Sequence, residues 1–277
     1  MPPAYSDQSP ALRRPGKVVT ALMCVMGGLW LAFAVGTHWA GVGPDVFDLF
    51  SGNTLGVLHG QAWRLITAPL LHDPDGFWHL FTVLLGLYFF GVPLESDWGQ
   101  KRFVRFLIGL ALIPSLVQVF FDVALPLEVR SGLVGPYWYG GGAIADGLAI
   151  AWALNNRSAV IRIYGILPVS TRTLIWIVLA YPVFYLIFRS APREGIPALL
   201  GGSFAGWLLG GGNPSPLRRY WLKFRINRLD AEVAREAAQR KKRVERSRLK
   251  VVEGGLGKPD PTRDEEKGRG PDGRWLN

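Results

Sequence analysis

Few residues in this chain could do chemistry, and they lie at the ends or in the middle of long apolar runs. Its four histidines are His38, His59, His72 and His79, so there is none beyond residue 79. His79 enters an apolar run behind the polar turn Asp73-Pro74-Asp75-Gly76, and Glu95 closes that run sixteen residues later. An imidazole and a carboxylate at the two ends of a membrane-length run are costly there, so each asks for a partner. Asp146 stands inside another run, where an unpaired acid costs about 2.5–3.5 kcal/mol on insertion. It reads either as a polar contact or proton-linked switch, or as a structural acid bonded to a neighbouring tyrosine or glutamine. Ser203 with His79 is the one nucleophile–base pair that can be constructed, and no third group is evident to orient the imidazole. A serine among glycines is ordinarily a packing residue. The single cysteine, Cys24, has no partner for a disulfide and no sign of activation, so it is expected to be a small packing residue. No metal or cofactor is expected.

The elements that must position these groups are membrane helices. Six apolar runs of spanning length occur, at about 18–37, 77–94, 103–125, 139–155, 172–189 and 195–212. Arg13, Arg14 and Lys17 precede the first; Lys101, Arg102 and Arg105 follow the second; Arg157, Arg162 and Arg172 follow the fourth. The alternate loops carry Arg64, Arg130, Arg189 and Arg193 among acids such as Asp45, Asp48, Asp73, Asp75 and Glu128. This asymmetry places both termini in the cytoplasm and the loop around Trp63 outside. The expectation is an all-α, polytopic six-helix bundle spanning 16–212. Before it comes a disordered leader, 1–15; after it a basic cytoplasmic helix, 213–252, and a disordered tail, 253–277. The small residues Ala32-Phe33-Ala34 resemble a signal cleavage site, but the run around them is long for a signal peptide.

The outer loop, 38–76, has its own apolar rhythm and should lie in the interface as short amphipathic helices. Trp63 would then sit at headgroup depth while Arg64 reaches for phosphates or carbonyls. The fourth run opens on Gly140, Gly141 and Gly142, and then Ala143, Gly147 and Ala151 repeat every fourth residue. The sixth carries the matching ridge Ala198, Gly202, Gly206 and Gly210, a pattern that lets two membrane helices approach closely. The fourth and sixth helices are therefore expected to touch. More than half of all Lys and Arg lie after Asn213. With Leu217, Tyr220, Trp221 and Phe224, that charge suits a helix held to anionic lipid, or one that docks a soluble cytoplasmic partner. Nucleic acid is not expected as a partner for a helix tethered to a membrane.

Taken together, these residues resemble the rhomboid family of intramembrane serine proteases. The resemblance rests on Trp63-Arg64, on His79 and Glu95 at the ends of the second helix, on the glycine-rich start of the fourth, and on Gly202 and Gly206 in the sixth. It implies a buried Ser-His dyad, with the serine in a G-x-S-G motif on the fourth helix and the histidine on the sixth. It further implies a histidine and an asparagine on the second helix that help hold the oxyanion. In this chain the serine position falls at Gly141, the histidine position at Leu199 and the asparagine position at Val83. Only His79 remains of the polar set, and no Ser, Thr or Cys stands between Ser131 and Ser158 to take the nucleophile's place.

Acyl transfer needs a hydroxyl or thiol within reach of a base, and neither position supplies one. The expectation is thus a pseudoprotease of the bacterial cytoplasmic membrane, whose partners are transmembrane helices of client proteins that it binds without cleaving. His79, Asp146 and Ser203 are its candidate polar contacts, while Trp63, Arg64, Glu95, Gly202 and Gly206 are structural. The alternatives are an active protease that uses unrecognised residues and a small-solute transporter coupled through Asp146.

Overall fold

The computed structural model describes residues 14–130, 133, 135–163, 167–188, 190, 192–212 and 214–246. Among these, six apolar helices coincide with the six runs: α1 (Lys17–Trp39), α2 (Phe77–Trp98), α3 (Gln100–Ala124), α4 (Gly142–Asn155), α5 (Thr171–Ile187) and α6 (Ile196–Gly210). A seventh, α7 (Pro216–Arg246), carries the basic stretch. The chain is a mostly helical membrane bundle. The leader before residue 14 and the tail after residue 246 lie outside the described residues.

Among the described residues, α1, α2 and α3 are long and apolar enough to cross a bilayer, whereas α4, α5 and α6 are shorter. At 1.5 Å per residue, the 14 residues of α4 reach about 21 Å, against a hydrocarbon core of about 30 Å. Short central helices can be accommodated by local thinning of the bilayer. Side chains such as Val25, Leu31, Trp176, Phe184 and Phe204 are exposed around the bundle, a rim that would be unfavourable in water and is ordinary against lipid. Cys24 belongs to this rim: it is exposed on α1 rather than packed, because the buried stripe of that helix runs through Val19 and Met26.

Several helix ends are satisfied by side chains from elsewhere in the bundle. The N-cap of α1 is Gly16, which has no side chain to offer; the buried carboxylate of Glu95 accepts from the N–H groups of Val18 and Val19 at 3.0 and 2.9 Å instead. The start of α6 is met by Gln118 from α3, whose Oε1 accepts from the Ala198 N–H at 3.0 Å. Ser203, Gly202 and Gly206 are buried in α6, and its glycine face lies directly on α4. A methyl group on Gly202 would overlap the Ala143 carbonyl, and one on Gly206 the Gly147 carbonyl. These two helices thus meet backbone to backbone, which fixes the level of every residue along them.

The outer segment folds into short helices at Pro44–Phe50, Thr54–Leu58 and Arg64–Thr67. Arg64 holds them together: Nη1 donates to the carbonyls of Asp48 and Ser51, each at 2.5 Å, and Nε donates to Gln61 at 2.6 Å. Trp63 remains partly exposed and donates from Nε1 to the Leu49 carbonyl at 3.3 Å. Paired backbone bonds between Gly52 and Trp138 tie this segment to the approach to α4.

Two features have no precedent in the hydropathy pattern. The connection after α4 forms an antiparallel hairpin of β1 (Val160–Ile163) and β2 (Leu167–Ser170). Within α2, Leu87–Gly91 is wound with i→i+5 bonds just before Pro93, which cannot donate to an ordinary helical ladder. The chain separates after Trp221 into two compact units, so α7 begins in the first and continues in the second.

Candidate functional site

The start of α4 brings Gly141 against Val83 and Gly142 beside Leu199. Ahead of it, the Tyr139 N–H donates to the Arg193 carbonyl and the Gly140 N–H to the Ala68 carbonyl, both at 3.0 Å. These bonds fix the strand between the outer segment and the loop that precedes α6. Gly140 takes φ +127°, which only glycine adopts without strain. Gly141 caps the helix at φ −88° and is hemmed in by apolar atoms. A Cβ there would lie 2.7 Å from Val83 Cγ1, 3.1 Å from Met26 Cε and 3.3 Å from the Pro69 carbonyl. Leu199 is buried on α6, its Cδ2 3.4 Å from where a Cβ of Gly142 would stand. Gly141 therefore faces Val83, while Leu199 lies beside Gly142.

The site is nevertheless not wholly apolar. Glu194, buried in the turn before α6, turns its carboxylate inward. Its Oε1 accepts from His79 Nε2 at 2.5 Å and from the Gly142 N–H at 3.1 Å. An ionised carboxylate only accepts, so Nε2 carries the proton and His79 Nδ1, which is buried, has no partner. Glu194 is thus the group that orients His79, which the sequence did not reveal. Burial pushes the Glu194 carboxyl up, but the hydrogen bond and charge of His79, with the Gly142 N–H, hold it below the usual carboxylate range. The positive end of α4 favours the same ionised state. Two donors, His79 Nε2 and the Gly142 N–H, converge here, and one carboxylate oxygen of the protein occupies both.

A second layer lies just outside. The ring of His72 packs 5.2 Å from that of His79; its Nδ1 faces the Leu70 carbonyl at 3.2 Å and its Nε2 has no partner. Burial, and then the neighbouring His79, push its pKa down to about 4. Arg193, next to Glu194, pairs with the buried carboxylate of Asp73, while Trp30 Nε1 donates to the Asp73 carbonyl at 2.9 Å. The loop bearing Glu194 is in this way fastened to the polar turn that introduces α2.

The remaining candidates fall elsewhere. Ser203 is buried on α6 with no partner for its Oγ, and it lines a groove with Ile150 and Trp207 while His79 is engaged by Glu194. The pair of Ser203 and His79 is therefore not assembled as a dyad. Asp146 lies on α4 with its Oδ2 enclosed and unpartnered, so the tyrosine or glutamine bond expected of a structural acid is not made at that oxygen. The glutamine nearest in character, Gln118, is committed to the start of α6. Among the described residues no cluster of three or more His, Cys, Asp or Glu could hold a metal ion.

A family profile for the rhomboid domain matches residues 59–212, which is more than half of the chain. The chain belongs to the rhomboid family. It is 34% identical over 99 residues to YdcA of Bacillus subtilis, named as a candidate rhomboid protease; the match covers 36% of this chain and 47% of that protein. It is also 33% identical over 113 residues to inactive RHOMBOID-like protein 8 of Arabidopsis thaliana, covering 40% of this chain and 30% of the relative. RHOMBOID-like protein 5 of the same plant matches at 29% over 154 residues, 56% of this chain and 45% of the relative. The chain thus spans less than half the length of each of these relatives. One of these three is named as a candidate protease and one as inactive.

Proposed function

We propose that this rhomboid-family protein is a pseudoprotease, binding transmembrane segments of client membrane proteins without cleaving them. One observation carries the reading: where the family's nucleophile would stand, Gly141 offers no hydroxyl and is closed over by Val83 and Met26, and His79 is bonded to Glu194. A serine nucleophile needs a free base beside it, and a tetrahedral intermediate needs empty donors. Gly141 brings no hydroxyl, and the donors His79 Nε2 and Gly142 N–H are taken by Glu194. The short helices α4 to α6 and the lipid-facing rim support lateral access for another helix. The positive-inside pattern supports placement in a bacterial cytoplasmic membrane with both termini inside, and α7 is then available to anionic lipid or to a soluble cytoplasmic partner.

The test uses the full chain in liposomes with a fluorophosphonate probe and a fluorescent single-span peptide. No covalent labelling, no cleavage product and saturable energy transfer from the peptide are expected. Labelling or cleavage that is lost in Ser203→Ala would establish a displaced nucleophile and overturn the reading.

A further inference from the structure

From Leu222 onward α7 belongs to the second compact unit, and its pattern there is not that of a helix lying on lipid. Leu222, Ile226, Leu229 and Val233 recur at steps of four, three and four residues, which aligns them in one narrow stripe. Leu222 is half-buried, and the other three are more than half exposed. The order within the stripe is specific. Read as heptads, it puts β-branched Ile226 and Val233 at the a positions and Leu222 and Leu229 at the d positions, the arrangement that favours two parallel strands in a coiled coil. Arg219 and Arg240 at the neighbouring a positions, with Glu236 at the next d, limit the stripe to two heptads.

We infer that this stripe is a seam through which α7 pairs in parallel with α7 of a second copy of the chain. Charge decides the occupant. In a parallel pair each g position faces the e position five residues further on in the other strand, which sets Arg225 against Asp230 of the second copy, twice by symmetry. Anionic lipid fits this stripe poorly, because three of the helix's four acids border or interrupt it: Asp230 at e, Glu232 at g and Glu236 at d. Phe224, which suits lipid, falls at an f position on the opposite side, so an aromatic anchor and a seam can be used together. Orientation agrees as well. The positive-inside pattern brings α7 out of the same membrane face in every copy, so neighbours in one bilayer present their seams in parallel. Two heptads are short for a pair free in water, and confinement to one membrane supplies the effective concentration they need. The inference is independent of whether the bundle binds clients.

The experiment uses the full chain in liposomes, with Cys24→Ala as background because that cysteine is exposed on α1. Leu229→Cys, at a d position, and Ala231→Cys, at an f position, are oxidised in parallel. Disulfide-linked dimer is expected from Leu229→Cys at about tenfold the yield from Ala231→Cys, since only a seam position brings two Cβ atoms within bonding range. Energy transfer between donor- and acceptor-labelled chains then reads the pairing itself. Ile226→Asp combined with Val233→Asp should abolish it, two charges in each seam being unpaired. Arg225→Glu alone, or Asp230→Arg alone, should weaken association about two- to tenfold, the range for two exposed ion pairs turned repulsive. Mixing those two single variants should restore it, because each chain then supplies the sign the other lacks. Equal disulfide yields at the two positions, transfer that survives the double aspartate variant, or a mixture no better than either single variant would each overturn the seam.

Discussion

Placing the family's serine back at Gly141 is the most direct test of whether this cavity has been closed over. The backbone at Gly141, φ −88° and ψ 6°, tolerates any L-residue, so conformational strain is not the obstacle. Packing is: the new Cβ would meet Val83 Cγ1 at 2.7 Å, closer than real side chains approach, with Met26 Cε at 3.1 Å behind it. Val83 is buried at 2% exposure on a helix, with no free space to rotate into. Overpacking of this kind costs about 1–3 kcal/mol. Removing a glycine from the unfolded chain returns about 0.5–1 kcal/mol. Gly141→Ser should therefore destabilise by up to about 2.5 kcal/mol, with a central value of about 1 kcal/mol, the difference between those two effects.

The decisive quantity is the coupling to Val83. Val83→Ala alone should cost about 1–2 kcal/mol through the cavity it leaves. Combined with Gly141→Ser the cavity and the excess volume meet, so the double variant should be more stable than the sum predicts by about 1–2 kcal/mol. Detergent-solubilised protein melted under identical conditions would supply the four corners of the cycle. Additivity within about 0.5 kcal/mol would mean that the two side chains do not compete for one space, and the account of the vacated site would fail. A fluorophosphonate probe adds a chemical readout to the same proteins. Gly141→Ser should remain unlabelled, because His79 is committed to Glu194; labelling of that single variant would show a working base that the structure does not contain.

Two further outcomes follow from the buried polar groups. His72 titrates near 4 when folded and near 6.5 when unfolded, so the folded state favours its neutral form. Its contribution is complete above pH 6.5 and is lost as pH falls toward 4, a total of about 3 kcal/mol at 1.36 kcal/mol per unit. Glu194, held below the carboxylate range, adds loss at still lower pH, where its ion pair is protonated away. Melting temperature measured from pH 7 to pH 4 should fall, and His72→Asn should flatten the part between pH 6.5 and 4.5; an unchanged slope would remove His72 from the account. Glu95→Ala should cost about 2 kcal/mol, since two N–H groups at the start of α1 lose a charged acceptor. Glu95→Gln, which keeps one carbonyl oxygen, should fall between it and wild type in the same melt. Indifference to both substitutions would mean that water serves that helix end equally well.

What the sequence made legible was whatever repeats or is long. Six apolar runs became six helices because membrane spans must satisfy their own backbone, so length and hydropathy leave one solution. The fourfold spacing of Gly202 and Gly206 had a simple geometric meaning, and those glycines lie on the Ala143 and Gly147 carbonyls. Glu194 was invisible for the opposite reason. It is a single acid in a short loop of mixed charge, and its partner His79 is 115 residues away. The one local hint was a carboxylate immediately before Gly195 and a membrane span, on the same side of the membrane as an unexplained histidine. The hairpin after α4 was hidden because its strands have four residues each, too few for alternation to stand out from a loop.

The placement of Glu194 also bears on how the start of α4 is kept orderly. The start of α4 brings unpaired N–H groups to an interior that excludes water, and a histidine points at the same place. An empty oxyanion site of that kind is costly to keep, because a buried donor without an acceptor loses about 1–3 kcal/mol. In this protein the Gly142 N–H and His79 Nε2 are both satisfied by one carboxylate, and the adjacent Arg193 is paired to Asp73. The same carboxylate holds the loop before α6 against α2 and α4. Replacing Glu194 would therefore free the donors and loosen the loop together, so chemistry and architecture share a single side chain here. On the pseudoprotease reading proposed above, a cavity that had merely lost its nucleophile would leave its donors waiting, whereas Glu194 fills both.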